Sequence, residues 1–347
     1  MKKTILVIDT MGGLGDLVLA LPMLHGLALS HTGAALHVVT TAPWDVLLER
    51  DPLLASVIPV EGRDEATTVA TVRAALHRLH PDVAVTTSRL HGLPALLRAA
   101  VPEAVTDLWR SPPPDEPVDL RYVRLLIEEG LIDPAYESLP PSVIIGEDEL
   151  IAARQVLARV VPVGAPVLLF PDSGMAVKHW SSRSWQHAVT GILIDGLVPV
   201  GVSQVSEQES SLRAAGAVVA PRFSIRQLAA FCAAAAERGG SAIGGDTGPV
   251  RLATAVGLPA VGLYGPTMAG RYGLTAGNIN LQGLPGCTVR RPTAITEQAC
   301  WWSGDCPLTP DASHACMDDI TPKRALAALR ALHGPALPPA SAQVRDI

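Results

Sequence analysis

The sequence predicts two doubly wound α/β domains in tandem, each a parallel sheet with helices on both faces. Three observations predict this. Apolar runs of strand length alternate with helix-length stretches, as parallel sheets require. The alternation breaks at Ser111-Pro112-Pro113-Pro114, then restarts after Pro162–Pro166. And 347 residues are many for one domain and comfortable for two.

In chain order, the first half reads as strands at Thr4–Ile8, Leu36–Thr40, Val57–Val60 and Val83–Thr86. Helical stretches lie between and after them at Leu17–Ser30, Trp44–Arg50, Ala66–Leu79 and Leu93–Ala100. A helix over Leu120–Glu129 follows the proline-rich loop, and another, Asp148–Val160, leads to the linker. The second half reads as strands at Val167–Phe170, Val198–Val202, Ala217–Val219, Ser241–Ile243 and Ala260–Tyr264. Trp185–Ile194, Ser206–Ala215, Ile225–Glu237 and Val250–Val256 are the helices between them. The expected division is an N-terminal domain over residues 1–163 and a C-terminal domain over 164–321. A helix over 322–334 is expected to cross back to the first domain, and 335–347 to form a disordered tail.

Composition narrows the function. Hydrophobic residues make up 48% and charged residues 17%, enough to bury two cores and too apolar for a disordered chain. Mean hydropathy is +0.29, yet the apolar runs are strand-sized, well short of the ~20 residues a spanning helix needs. The Met-Lys-Lys start leads into a run too short for an export signal, so a cytoplasmic location is expected. The net charge of −6 argues against nucleic acid as a partner. Residues 1–150 hold 11 Lys+Arg against 21 Asp+Glu, and residues 151–347 hold 16 against 12. Two halves of opposite charge point to two different ligands.

Ligands of doubly wound sheets sit at the carboxyl ends of the strands, so the strand-to-helix turns carry the argument. The first is Met11-Gly12-Gly13-Leu14-Gly15-Asp16. It is either a tight turn with Asp16 capping the helix or a carboxylate presented as a general base. The dinucleotide fingerprint is not met, because Leu17-Val18 follow Gly15 and no acidic residue ends the second strand. The second turn runs from Pro171-Asp172-Ser173 to Lys178-His179-Trp180. Lys178 is one of only four lysines, and an ammonium there suits a diphosphate; the alternative is a solvated surface lysine. Trp180 and Trp185 read as packing residues. The third turn, Gly244-Gly245-Asp246-Thr247-Gly248-Pro249, opens a helix whose N-terminal amides suit an anion. Gly265-Pro266-Thr267 forms a fourth, similar turn. Plain turn chemistry explains each alone; two such turns on neighbouring strands plus Lys178 favour a phosphate-bearing ligand.

Taken together and in this order, Gly12–Asp16 with Leu21-Pro22, Lys178-His179-Trp180, Asp246-Thr247-Gly248 with Ala253 and Ala255, and Leu263–Thr267 resemble the bacterial heptosyltransferases of glycosyltransferase family nine. The Cys300…Cys306-Pro307…Cys316–Pro322 stretch also looks like that family's C-terminus. The resemblance implies the GT-B fold, two Rossmann-like domains with a cleft between them. It implies inverting, metal-independent transfer of a sugar from a nucleotide sugar, typically ADP-heptose, with no cofactor. The acceptor is expected on the first domain and the donor on the second. Carried over by motif, Asp16 is the base and Lys178 holds the donor diphosphate. Asp246 with Thr247 and Gly248 holds sugar and phosphate, and Gly265, Pro266 and Thr267 border the phosphates. Gly15 and Ser173 join the donor set. Glu207 stands near the family's ribose-binding glutamate, with Glu209 as a rival.

The resemblance departs at Arg251, where the family usually has histidine; an arginine there is expected to touch phosphate or reshape the sugar pocket. The acidic first half departs as well. Lipopolysaccharide enzymes receive an anionic acceptor, whereas this half suits a small cationic one, such as an aminocyclitol antibiotic intermediate. Gly13, Ser88, Arg89, His91 and Trp109 are the candidate acceptor contacts. A lipopolysaccharide-core heptosyltransferase is the alternative, and a non-catalytic nucleotide-sugar-binding protein the alternative of another class. Cys287, Cys300, Cys306 and Cys316 include no Cys-x-x-Cys pair, so buried thiols are expected rather than a metal site.

Overall fold

The computed structural model describes residues 3–110, 113–309 and 313–333. Its first sheet contains β1 (Thr4–Asp9), β2 (Ala35–Thr41), β3 (Ser56–Val60), β4 (Val83–Thr86) and β5 (Glu103–Val105), in the order β3-β2-β1-β4-β5. Its helices are α1 (Leu14–Ser30), α2 (Glu65–Leu79), α3 (Leu93–Ala100) and α4 (Val118–Glu128). α5 (Glu147–Val160) leads into the second sheet. That sheet contains β6 (Pro166–Phe170), β7 (Val198–Gly201), β8 (Val218–Val219), β9 (Ser241–Gly245), β10 (Ala260–Tyr264) and β11 (Ile279–Gln282), in the order β11-β10-β9-β6-β7-β8. With it go α6 (Ser182–Ile194), α7 (Ser206–Ala214), α8 (Ile225–Glu237), α9 (Gly248–Ala255), α10 (Ala269–Tyr272), α11 (Ala299–Ser303), α12 (Ala315–Asp318) and α13 (Pro322–Leu332). Every strand pairing is parallel.

The central strands carry no alternation because helices cover both faces: all five residues of β6 are buried, and so are Ile5 to Asp9 of β1. Strand order reverses between β1 and β4 and again between β6 and β9, which opens a crevice at the carboxyl ends of each pair. Register sets what meets there. Ile8 lies opposite Thr86 at the first crevice, and Phe170 opposite Gly244 at the second.

Two boundary expectations are corrected. α5 lies inside the expected first domain, yet Ala153, Leu157 and Val161 pack with Leu168, Phe170 and Phe231 of the second. Arg154 of α5 also pairs with Glu237 of α8 at 2.8 Å. By packing, the division falls before α5 rather than after residue 163. α13 does not cross back. Ala325, Ala328 and Leu329 pack with Val167, Leu169 and Trp185 of the second domain, and Arg330 donates to Asp195 of α6 at 2.8 Å. The apolar stripe of α13 matches the face beside α6, so this helix closes its own domain. The expected tail, 335–347, lies outside the described residues.

The domains touch through α1 and α9. A Cβ on Gly248 would come within 2.8 Å of the Leu14 Cβ and 3.1 Å of the Gly15 nitrogen. A Cβ on Gly15 would meet Arg251 at 3.3 Å. Only glycines let two helix N-termini approach this closely, and the contact brings both crevices to one cleft.

Candidate active site

The described α1 begins at Leu14, with Gly13 as its N-cap. Asp16 is therefore near the cap, in the first turn, and its Oδ2 accepts the Gly13 N–H at 2.9 Å. The carboxylate is exposed and lies so close over Gly12 that a Cβ there would overlap it. So Asp16 satisfies an amide that helix geometry leaves unpaired while still facing the cleft.

Beneath it is Asp9, the last residue of β1, for which nothing local in the sequence signals a role. It is buried, accepts from Thr87 Oγ1 at 2.5 Å, and its carboxyl is pushed up to about 6, first by burial and then by the charge of Asp16. Burial also pushes the Tyr122 phenol well up, with Asp9 and Asp16 adding to the effect.

On the second domain, a one-turn 3₁₀ helix after β6 ends on Lys178. Lys178 Nζ donates to Asp246 Oδ2 at 2.8 Å and to the Asp246 carbonyl at 3.2 Å, and lies 5.1 Å from the Trp301 ring centroid. The solvated-lysine alternative does not hold. Arg251 donates to Asp246 Oδ1 at 2.5 Å and also to the Tyr272 carbonyl. Burial opposes ionisation of Asp246, but the adjacent Lys178 and Arg251 outweigh it and hold the carboxyl well below the usual range. Arg251 is thus a brace for Asp246, with its Nη2 engaged by that carboxylate and the Tyr272 carbonyl.

Thr247 caps α9 through its backbone, and its hydroxyl is buried without a hydrogen-bond partner among the described residues; the Thr267 hydroxyl is in the same state. Gly265 is packed against Cys316 and Met317, and Arg290 donates to its carbonyl at 2.7 Å. Pro266 lines a small cavity together with Cys287, Cys300, Cys306, Cys316 and His314. Burial pushes the Cys316 thiol up to about 12, so it is protonated at neutral pH. No three His, Cys, Asp or Glu side chains among the described residues are grouped to hold a metal ion.

Ser173 Oγ accepts the Met175 N–H at 3.3 Å, while its carbonyl meets His179 Nε2 at 3.0 Å, so it shapes the Lys178 loop. Asp172 ties that loop to the one after β7 by accepting from Ser203 Oγ at 2.7 Å and from the Gln204 N–H at 2.6 Å. Glu207 is exposed in the first turn of α7, at the carboxyl end of the sheet; Glu209 lies 3.9 Å from Arg222. Trp180 and Trp185 pack edge to face with centroids 5.0 Å apart, as packing residues do.

The acceptor candidates separate. Ser88 is buried inside its own turn, where its Oγ accepts the Leu90 N–H. His91 takes a left-handed conformation (φ 58°) beside Glu65, with Nδ1 3.8 Å from its carboxylate. Arg89 and Trp109 come together, with the guanidinium carbon 5.7 Å from the ring centroid. Arg121 and Arg271, absent from the sequence reading, stand at the same ring.

Two Rossmann-like sheets, a carboxylate at one crevice and a lysine with two helix-opening turns at the other, describe a nucleotide-sugar transferase. A family model described as glycosyltransferase family 9 (heptosyltransferase) matches residues 104–287, more than half of the chain. The chain belongs to glycosyltransferase family 9. As a member of that family it is a glycosyltransferase acting on a nucleotide sugar. Its fold is similar to a family 9 glycosyltransferase from Veillonella parvula, at 17% identity and TM-score 0.76, over 96% of this chain and 97% of that one. E. coli ADP-heptose lipopolysaccharide heptosyltransferase II aligns at 19% identity and TM-score 0.67, over 94% and 98%. E. coli heptosyltransferase WaaC, solved with ADP-2-deoxy-2-fluoro heptose, aligns at 16% and 0.63, over 92% and 97%. These likenesses establish the GT-B architecture for this family 9 chain. No curated protein matches the sequence. Among the described residues, no helix is long and apolar enough to cross a membrane.

Proposed function

We propose that the protein transfers heptose from ADP-heptose to an acceptor hydroxyl, with inversion and without a metal. The single observation that carries this reading is the contact of α1 with α9, which brings Asp16 to the cleft shared with Asp246 and Lys178. Asp16 takes the proton of the acceptor hydroxyl as that oxygen bonds to the anomeric carbon and the bond to the nucleotide diphosphate breaks. Lys178 and the N-terminal amides of α9 stabilise the charge that gathers on the leaving diphosphate, work a metal ion performs in other transferases. The buried, unpartnered hydroxyls of Thr247 and Thr267 support a hydrogen-bonding ligand at β9 and β10.

The acceptor reading shifts. A small cationic acceptor, as in aminocyclitol antibiotic biosynthesis, leans on the net charge of residues 1–150. Several of those acids are already paired at the surface, as Asp148 is with Arg50 and Glu128 with Arg124. Arg89, Arg121 and Arg271 around Trp109 favour an acceptor with an anionic group, as a lipopolysaccharide core provides.

Asp16→Asn tests the reading, since it keeps an oxygen for the Gly13 amide and removes the base. Transfer should fall at least a hundredfold, while calorimetry shows ADP affinity within a few-fold of wild type. Surviving turnover would sink the base assignment. Preference for UDP or GDP over ADP would sink the donor.

A further inference from the structure

Three guanidinium groups surround one tryptophan where the domains meet. The guanidinium carbons of Arg89, Arg121 and Arg271 lie 5.7, 5.3 and 5.7 Å from the Trp109 ring centroid. Arg121 comes from α4 of the first domain and is 0% exposed; Arg271 comes from α10 of the second and is 1% exposed. Glu116 is the carboxylate of Arg121, at 3.2 Å, and the same carboxylate serves Arg124 at 2.5 Å. Arg271 donates from Nη1 to the Pro113 carbonyl at 3.2 Å, stands beside the Tyr272 phenol, and has no ion pair among the described residues. Arg121 Nη1 and Arg271 Nε and Nη2 are buried with no hydrogen-bond partner among the described residues.

A buried charge without a partner is among the most expensive arrangements in a protein. Arginine cannot escape by releasing its proton. Here Arg271 has no carboxylate among the described residues, only the Pro113 carbonyl and the Tyr272 phenol beside it, and it faces Arg121, whose one carboxylate, Glu116, is shared with Arg124. Paired guanidinium forks with free N–H groups match the oxygens of a phosphate or carboxylate, and few other groups. Exposed Arg89 and half-buried Trp109 form the approach.

We propose that Arg121 and Arg271, with Arg89 at the mouth, form an oxyanion subsite spanning the two domains, and that it takes a phosphate or carboxylate group carried by the acceptor. Assigning the anion to the acceptor rests on the transferase reading above; the subsite itself does not. Because each domain supplies one arginine, the anion also couples acceptor binding to closure of the cleft: without it, closing the cleft brings two like charges together.

Trp109 is a built-in reporter. The full-length protein is titrated with inorganic phosphate at constant ionic strength, following tryptophan emission, with and without saturating ADP. Saturable quenching is expected, absent in Trp109→Phe. Its Kd should rise at least tenfold in Arg271→Gln and in Arg271→Lys, which keeps the charge but loses the fork. Phosphate affinity unchanged in both Arg271 variants, or Arg271→Gln melting lower without a change in affinity, would make Arg271 a structural residue and overturn the subsite. Competition between ADP and phosphate would assign it to the donor diphosphate and overturn the acceptor assignment. Loss of ADP binding or survival of Asp16→Asn turnover would instead defeat the transferase mechanism, and phosphate binding would remain.

Discussion

Asp9 and Asp16 flank the turn between β1 and α1, one buried and the other exposed. Asp9 holds its proton more tightly folded than unfolded, so its contribution to stability is complete below its ordinary value of 3.8 and is lost as pH rises through about 6. Asp9→Asn should therefore stabilise the protein at pH 8 by roughly 2–3 kcal/mol, and denaturant titrations should show that gain shrinking through pH 6 and vanishing toward pH 4. A gain that did not change with pH would mean that Asp9 is not ionised at pH 8. Thr267 offers a second single-residue experiment. Its hydroxyl is buried and unpartnered, so Thr267→Val should leave the melting temperature unchanged or higher. If that hydroxyl serves the nucleotide, ADP should bind about fivefold more weakly, the equivalent of ~1 kcal/mol.

At the scale of elements, the meeting of α1 and α9 depends on the absence of side chains. Gly248→Ala would press a methyl into Leu14 and the Gly15 backbone, costing about 1–3 kcal/mol of overpacking. A lower melting temperature and a larger radius of gyration by X-ray scattering are expected. Gly13→Ala is the control, because a Cβ there meets nothing within 4 Å; it should leave the radius of gyration unchanged and lower the melting temperature only by the penalty of alanine at an N-cap. Most elements were legible in the sequence because their apolar runs are long or strictly periodic. The starts of helices were not. α1 begins at Leu14 rather than Leu17 and α9 at Gly248 rather than Val250, since glycines at a helix start carry no helix signal. β5 and β11, three and four residues long, were missed for shortness. β11 is only half-buried at an edge, so it lacks the apolar run that marked β6 and β10.

Across the whole molecule, the domains are tied at a second place, beside α8. Arg226 of α8 donates to the Leu47 carbonyl of the first domain at 3.0 Å, to the Ile144 carbonyl at 2.9 Å and to Glu149 at 2.6 Å. Arg50 of the first domain binds Asp148 of α5 at 2.6 Å. Arg226→Met should cost about 2 kcal/mol, typical of charge-assisted bonds, and loosen the domain arrangement in scattering, while the secondary structure seen by circular dichroism is unchanged. An Arg226→Met protein as stable and as compact as wild type would show that Arg226 is not one of the ties that hold the domains together.

The fold class, the two-domain plan and the turns that carry Asp16, Lys178, Asp246 and Thr267 are legible before folding, because each is a local matter: hydrophobic period, glycine placement, a charged residue beside a strand end. The tertiary structure alone decided what those residues touch. Lys178 and Arg251 share one carboxylate, and α5 and α13 belong to the second domain by the faces they bury. Trp109 is a candidate from sequence, but Arg121 and Arg271 lie far apart in the chain, and nothing local in either marks it for the same site. Net charge does not decide the acceptor for the same reason: it counts every acid in the first half, whereas the cleft responds only to the charges that folding leaves facing it.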